Sequence, residues 1–294
     1  MTRNVGLSGS ELTPEPTAAS VVLRERDGLG SVPQDGFQVE YSSVARSFSG
    51  PTGSFVAVTD IDLKVRVGEF VCIVGPSGCG KSTLLNMAAG LLTASEGEVS
   101  YSGKLVRGIN TDVGYVTQKD SLLPWRTVER NVALPLELHK IGKAERKRRV
   151  SEMLRRVGLE KFANHYPSQL SGGMRQRAML AQTWVYEPFT LLMDEPFGAL
   201  DALLRTQLQE DLLGMWERDR KTVLFVTHDL EEAILMADRV VVFGAAPGRI
   251  LHVEEVGFDR PRDLMELRST PEFVDTWKRL WHLLETQIDA SGAH

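Results

Sequence analysis

The stretch from Val71 to Leu85 constrains this chain more than any other. Val71-Cys72-Ile73-Val74 is a short, unbroken apolar run, the pattern of a strand covered on both faces in a parallel sheet. Gly75-Pro76-Ser77-Gly78-Cys79-Gly80-Lys81-Ser82-Thr83 follows at once, and Leu84 to Ala89 reads as a helix. Strand, glycine-rich turn and helix in that order form the context of a phosphate-binding Walker A loop. The glycines let backbone N–H groups converge on phosphate oxygens without Cβ clashes, and the helix start adds free donors and a positive dipole end. Lys81 is placed to neutralise β- and γ-phosphate charge, and Ser82 to ligate Mg²⁺.

The rest of the composition narrows the class. With 294 residues there is room for one large domain or two smaller ones. A net charge of −5 gives no global reason to expect nucleic-acid binding. No apolar run reaches the ~18 residues of a membrane span, and the N-terminus lacks the basic–apolar–small pattern of a secretion signal. Cys72 and Cys79 make neither a disulfide framework nor a zinc site, and suit a reducing compartment. Cys79 reads as a small filler residue within the loop.

Residues 1–36 carry Gly, Ser, Pro, Thr and mixed charge without periodicity and read as a flexible N-terminal extension. Phe37–Tyr41 and Ile61–Val67 alternate as strands, with a turn cluster at Ser49–Gly53 between them, giving an antiparallel pair ahead of the phosphate loop. A second alternating patch, Gly97–Tyr101, runs into a hairpin turn at Ser102-Gly103-Lys104. Val113–Val116 is a strand candidate ending at Gln118, and helical signals follow a loop at Leu122-Leu123-Pro124-Trp125 and run to about Gly158. The mostly basic run Lys143–Arg149 reads as a solvated helix face. A helix is expected to start near Ser171, and Thr190–Met193, Thr222–Thr227 and Arg239–Phe243 are buried-strand patterns. Strands alternating with helices predict a mainly parallel α/β sheet. Near the end, Phe273, Trp277, Leu280, Trp281, Leu284 and Ile288 share a helical face expected to dock on the chain's own core.

Leu191-Leu192-Met193-Asp194-Glu195 is an apolar strand ending in two carboxylates, a Walker B arrangement. There Asp194 serves the Mg²⁺ shell and Glu195 stands where a water would attack a γ-phosphate. Between the two Walker motifs lies Leu170-Ser171-Gly172-Gly173-Met174-Arg175-Gln176-Arg177, a helix start whose serine hydroxyl and glycine amides can meet an anion. Taken alone, Gln118 would be a solvent-facing amide and His228 a structural histidine. Each follows a strand whose end points to the phosphate side of the sheet, which is what singles them out.

With this ordered set in view, the chain resembles the ATP-binding subunits of ABC transporters over about Phe37 to Gly257. Leu170 to Arg177 matches the family's signature, Gln118 the Q-loop, Phe197 to Asp201 the D-loop and His228 the switch histidine. Phe48 is placed like the aromatic that stacks on adenine, with Tyr41 as rival. Leu123 to Val128, Phe197 and Ala246-Pro247-Gly248-Arg249-Ile250 resemble the nitrate/sulfonate/taurine class of bacterial importers.

The resemblance implies a P-loop NTPase (RecA-like) α/β fold: a mainly parallel sheet core, an antiparallel β subdomain and an α-helical subdomain at about 122–180. The ATPase domain would span 37–257, with a helical tail at 258–294. It implies ATP and Mg²⁺ as ligands and a head-to-tail homodimer. Each nucleotide would lie between the Walker A loop of one copy (Gly75 to Thr83) and Ser171, Gly172, Gly173 and Asp201 of the other. Catalysis would rest on Glu195, His228 and Gln118, and the metal on Ser82, Gln118 and Asp194. Integral-membrane permease subunits would be direct partners and a periplasmic or lipoprotein solute-binding protein an indirect one. The chain itself would sit peripherally on the cytoplasmic face of the inner membrane, and nucleic acid is not an expected partner. Trp125 and the Leu122-Leu123 pair are the apolar groups expected to be available to a permease helix. The competing readings are a soluble ABC-type ATPase acting on nucleic acid or ribosomes, and a small-molecule phosphotransferase, in which the signature would have no task.

Overall fold

The apolar run before the phosphate loop forms β3, Phe70–Val74, buried along its whole length. It belongs to a computed structural model that describes residues 36–50, 53–118, 120–198 and 200–291, with side chains up to residue 286. Ahead of it lie β1 (Phe37–Gly50) and β2 (Gly53–Arg66); after it come α1 (Lys81–Ala88), β4 (Glu96–Tyr101), β5 (Lys104–Leu105) and β6 (Val113–Val116). Helices α2 (Val128–Leu138), α3 (Lys143–Arg156) and α4 (Gly172–Trp184) precede β7 (Thr190–Asp194). Then α5 (Ala202–Asp219), β8 (Thr222–Thr227), α6 (Leu230–Met236) and β9 (Arg239–Phe243) alternate. The described chain closes with β10 (Ile250–Glu255), α7 (Leu264–Arg268) and α8 (Pro271–Ser291). The expected N-terminal extension lies outside the described residues, Gly36 excepted.

A six-stranded sheet runs in the order β10-β9-β3-β8-β7-β6. From β9 to β6 every pairing is parallel, while β10 adds antiparallel to β9 at the edge. Alternation along β3 divides the interior. Phe70, Cys72 and Val74 enter one core with the helices α2 to α6 and α8, whereas Val71 and Ile73 enter a second with α1 and the antiparallel strands. That second layer is a four-stranded sheet, β2-β1-β4-β5. The expected hairpin at Ser102-Gly103 joins β4 to β5, with φ of 49° and 72° at its two central residues.

The strand pair β1–β2 is much longer than the alternation predicted. Register shifts along the pair, with left-handed Ser43 and Asp60, break the period-two pattern while the ladder continues to Gly50 and Gly53. The helical stretch after Trp125 is two helices, α2 and α3, with Pro135 in the last turn of α2. The basic run on α3 is indeed laced with ions: Arg148 and Arg149 both reach Glu145 at 2.7 Å. Their hydrogen bonds hold that exposed carboxyl down at about 2. Of the C-terminal stripe, Phe273, Leu280 and Leu284 are buried and Trp277 packs against them. Trp281 departs from the expectation: it is 40% exposed and covers Trp277 as a parallel stack at 5.2 Å. Ile288 has no described side chain.

Candidate active site

Four neighbouring parallel strands, β3, β8, β7 and β6, deliver their carboxyl ends to one edge of the sheet, the usual place for a ligand in an open α/β sheet. The phosphate loop leaves β3, His228 follows β8, Asp194 and Glu195 close β7, and Gln118 lies just beyond β6.

The loop closes on itself. Gly78 and Gly80 adopt φ of 78° and 95°, conformations open to glycine at little cost, and Gly80 caps α1. Lys81 is buried, and its Nζ donates to the carbonyls of Gly75 and Pro76, both at 2.8 Å. Its ammonium lies 3.9 Å from Cys79 Sγ. Burial pushes the Cys79 thiol up, so it stays protonated and acts as packing. Ser82, one residue on, is exposed and donates to Asp194 Oδ1 at 2.9 Å. Burial first, then the adjacent charge of Glu195, holds the Asp194 carboxyl above its ordinary value, against the pull of Ser82 and Lys81. A hydroxyl beside a carboxylate fits a hard divalent cation such as Mg²⁺, which takes only one or two protein oxygens and fills its shell with phosphate and water. Among the described residues there is no cluster of three or more His, Cys, Asp or Glu able to cage a metal alone.

Glu195 is the meeting point. Its Oε2 accepts from Gln118 Nε2 at 3.1 Å and stands 3.2 Å from His228 Nδ1. Its backbone is left-handed, φ 46°, while its amide continues the ladder to Val226 at 2.9 Å. Strain of this kind in a non-glycine residue persists where the surroundings impose it, and it turns the carboxylate toward the other strand ends. Gly198 closes the group: a Cβ there would lie 3.7 Å from Glu195 Oε2 and 3.8 Å from His228 Cε1. In the sequence Gly198 stands out only as part of the D-loop match, because a contact made across a turn leaves no periodic signal.

Ser171 N-caps α4, its Oγ accepting from Met174 N at 3.3 Å, with Gly172 and Gly173 in the first turn. Gly173 faces Leu204 of α5 so closely that a Cβ would displace that side chain. Asp201 N-caps α5 through Leu204 N at 3.0 Å, and Phe197 is buried against Phe225. Among the described residues the Ser171 hydroxyl and the Asp201 carboxylate are each engaged at their own helix start, and Ala199 lies outside the described residues.

One aromatic expectation changes. Tyr41 is 1% exposed with its hydroxyl on the Leu84 carbonyl, so it is core and no platform for a base. Phe48 is half-buried and stacks at 5.5 Å on its cross-strand partner Phe55, which is 61% exposed and was not anticipated. The expectation for the Leu122-Leu123 pair fails at Leu122, while Leu123 is half-buried. Leu122 is buried in the main core, and Asn131 pins the Leu123 amide and carbonyl at 2.7 and 3.1 Å. Trp125, 71% exposed, is the residue of that loop left facing solvent as a large apolar group.

The segment Ala246–Ile250 buttresses the phosphate loop. Gly248 N donates to Ala57 O at 2.8 Å and its carbonyl accepts from Thr59 N at 2.9 Å, adding a bridge to β2. A Cβ on Gly248 would run into the Cys79 carbonyl. Gly248→Ala should therefore push the loop out of shape and weaken nucleotide binding about 10-fold. Titration of a fluorescent nucleotide measures it, and unchanged affinity would show that the loop does not lean on this segment.

A phosphate loop, a Walker B carboxylate pair and a strand-end histidine on one parallel sheet edge define a P-loop nucleoside-triphosphatase. Comparison narrows the class. The ABC transporter family matches residues 58–198. An uncharacterized ABC transporter ATP-binding protein of Methanocaldococcus jannaschii is 46% identical over 232 residues, 79% of this chain and 85% of that protein. The taurine import ATP-binding protein TauB of Rhizobium johnstonii is 40% identical over 261 residues, 87% and 99% of the two chains. The nitrate import ATP-binding protein NrtD of Synechococcus elongatus is 40% identical over 239 residues, 80% and 87%. A dimeric post-hydrolysis structure of an ATP-binding cassette bound to ADP and Pi is also similar. It has a TM-score of 0.67 at 34% identity, covering 75% of this chain and all of that one. The chain belongs to the ATP-binding subunits of ABC transporters and is an ATPase of that family.

Proposed function

We propose that this chain is the ATP-hydrolysing subunit of an importer of the nitrate/sulfonate/taurine class, working as a homodimer on separate membrane permease subunits. The observation that carries the catalytic part is the convergence of Gln118 and His228 on one oxygen of Glu195, beside the Ser82–Asp194 pair. In this reading Lys81 and the loop amides bind the β- and γ-phosphates, and Phe48, backed by Phe55, receives the base. Ser82 and Asp194, with Gln118, would hold Mg²⁺, which when bound neutralises phosphate charge. Glu195 orients and deprotonates a water; His228 fixes that carboxylate and the departing phosphate's surroundings. Gln118, on the segment leading to the helices of about 122–180, reports their position to Glu195. Ser171, Gly172, Gly173 and Asp201, at the starts of α4 and α5, would serve the second copy's nucleotide. The dimeric cassette bound to ADP and Pi supports that arrangement.

The names of the nitrate and taurine import relatives support the solute class. Among the described residues no helix is long and apolar enough to cross a membrane, so transport needs partner chains. A solute-binding protein outside the membrane completes the proposed system, with this chain on its cytoplasmic face. Trp125 is the proposed anchor for a permease helix, since a large exposed aromatic beside a rigid loop suits a hot spot. The test is co-purification with the permease encoded beside it and uptake of a labelled sulfonate or nitrate. Trp125→Ala should keep the isolated subunit's ATPase and weaken permease association about 30-fold. Undiminished association would move the contact elsewhere.

A further inference from the structure

Two side-chain rungs join the helix after the Phe197–Asp201 turn to the helix after His228. Arg205, in the first turn of α5, donates from Nη1 to Asp229 Oδ2 at 3.2 Å and from Nη2 to the Leu200 carbonyl at 3.0 Å. One turn on, Gln209 Nε2 donates to Glu232 Oε1 at 2.9 Å, with both residues buried. Asp229 is itself the N-cap of α6: it accepts from Glu232 N at 3.2 Å, and its own amide donates to Thr227 Oγ1 at 3.0 Å. Burial raises the Glu232 carboxyl above its ordinary value, which favours a neutral, hydrogen-bonded inner rung. The outer rung is a charge-assisted fork that only an arginine can make, one arm on a carboxylate and the other on a backbone oxygen.

The sequence neighbours of these anchors give the rungs their meaning. Leu200 immediately precedes Asp201, and Asp229 immediately follows His228. Gly198, in the same turn, already stands against Glu195 and His228. A shift of the turn is therefore handed to the start of α6 through a rigid fork instead of a loop.

We propose that Arg205–Asp229 and Gln209–Glu232 are positioning rungs that tie His228 to the Leu200–Asp201 turn, so that His228 meets Glu195 only when that turn is in place. This rests on the roles given above to His228 and Glu195. Arg205 acts through Asp229 and is a positioning residue. If the turn faces a second copy, the rungs make hydrolysis wait for dimer closure.

The experiment measures steady-state ATPase of the permease-bound complex for Arg205→Ala, Arg205→Lys and Asp229→Asn, each alone and in a His228→Ala background. Asp229→Asn keeps a good helix cap and removes only the charge, so it remains informative if Arg205→Ala folds poorly. Arg205→Ala and Asp229→Asn should each lower kcat about 10-fold with KM for ATP within about 2-fold. Arg205→Lys, retaining one arm, should recover part of the loss. With His228 already removed, the same substitutions should cost no more than about 2-fold. Equal losses in both backgrounds, or parallel changes in kcat and KM, would overturn the proposal. A normal kcat in both Arg205→Ala and Asp229→Asn beside a crippled His228→Ala overturns the rungs alone. A normal kcat in His228→Ala removes the underlying reading as well.

Discussion

Glu195→Gln should bind ATP as the parent does and lose turnover by about 10²–10⁴-fold, or about 3–5 kcal/mol in the barrier. The substitution is nearly isosteric. With its amide oxygen in the place of Oε2, glutamine can still accept from Gln118 and stand beside His228 Nδ1, so the geometry around that atom is kept. What goes is the basic carboxylate that takes a proton from water. Because Glu195 has no direct hydrogen bond to Lys81 or Ser82, the loop that holds the phosphates is undisturbed. With binding intact and cleavage lost, a dimer closed on the triphosphate should accumulate. ATPase assay with the permease present gives the first half, and light scattering in saturating Mg-ATP the second. Near-normal turnover would remove Glu195 from the base role. A variant that stays monomeric would break the link between nucleotide and dimer.

Such a prediction could be framed from sequence because the strand-end chemistry is local. Val71 to Thr83 and Leu191 to Glu195 each carry strand, turn and polar group within a few residues, and β3 and β7 form where the apolar runs lie. Capping is equally local: Ser171 and Asp201 cap the helices that follow them. What stayed hidden depends on partners distant in sequence. Leu122 looked available beside Trp125, yet it fills the core that α2 and α4 close. Tyr41 and Phe48 lie on one strand, and only the hydroxyl's capture by Leu84 separates core from rim. The length of β1 and β2 was masked by bulges, and β10 is a half-exposed edge strand with neither an apolar run nor clean alternation. The backing of the phosphate loop by Gly248 needs β2, β9 and the loop after it assembled together.

Lys81→Ala should weaken ATP binding itself by about 10²-fold, a larger ground-state effect than any other single change in the loop. Charge-assisted hydrogen bonds to phosphate are worth about 1.5–3 kcal/mol each, and Lys81 is the loop's one cationic side chain. A second effect adds to it. Lys81 Nζ satisfies the carbonyls of Gly75 and Pro76, so truncation leaves two loop oxygens without their donor and a void at a buried position. The amides that should face phosphate then lose their fixed spacing. Lys81→Met isolates the void: it fills most of the volume with a flexible apolar chain, so the charge and the donors are lost in both variants and the cavity is left only by alanine. Calorimetric titration with Mg-ATP should find both variants weakened, Lys81→Ala the more so, while thermal denaturation without nucleotide should show Lys81→Met closer to the parent. Unchanged affinity in either variant would take Lys81 out of the phosphate site. Equal losses in both would assign the whole effect to the lost charge and donors and none of it to the void.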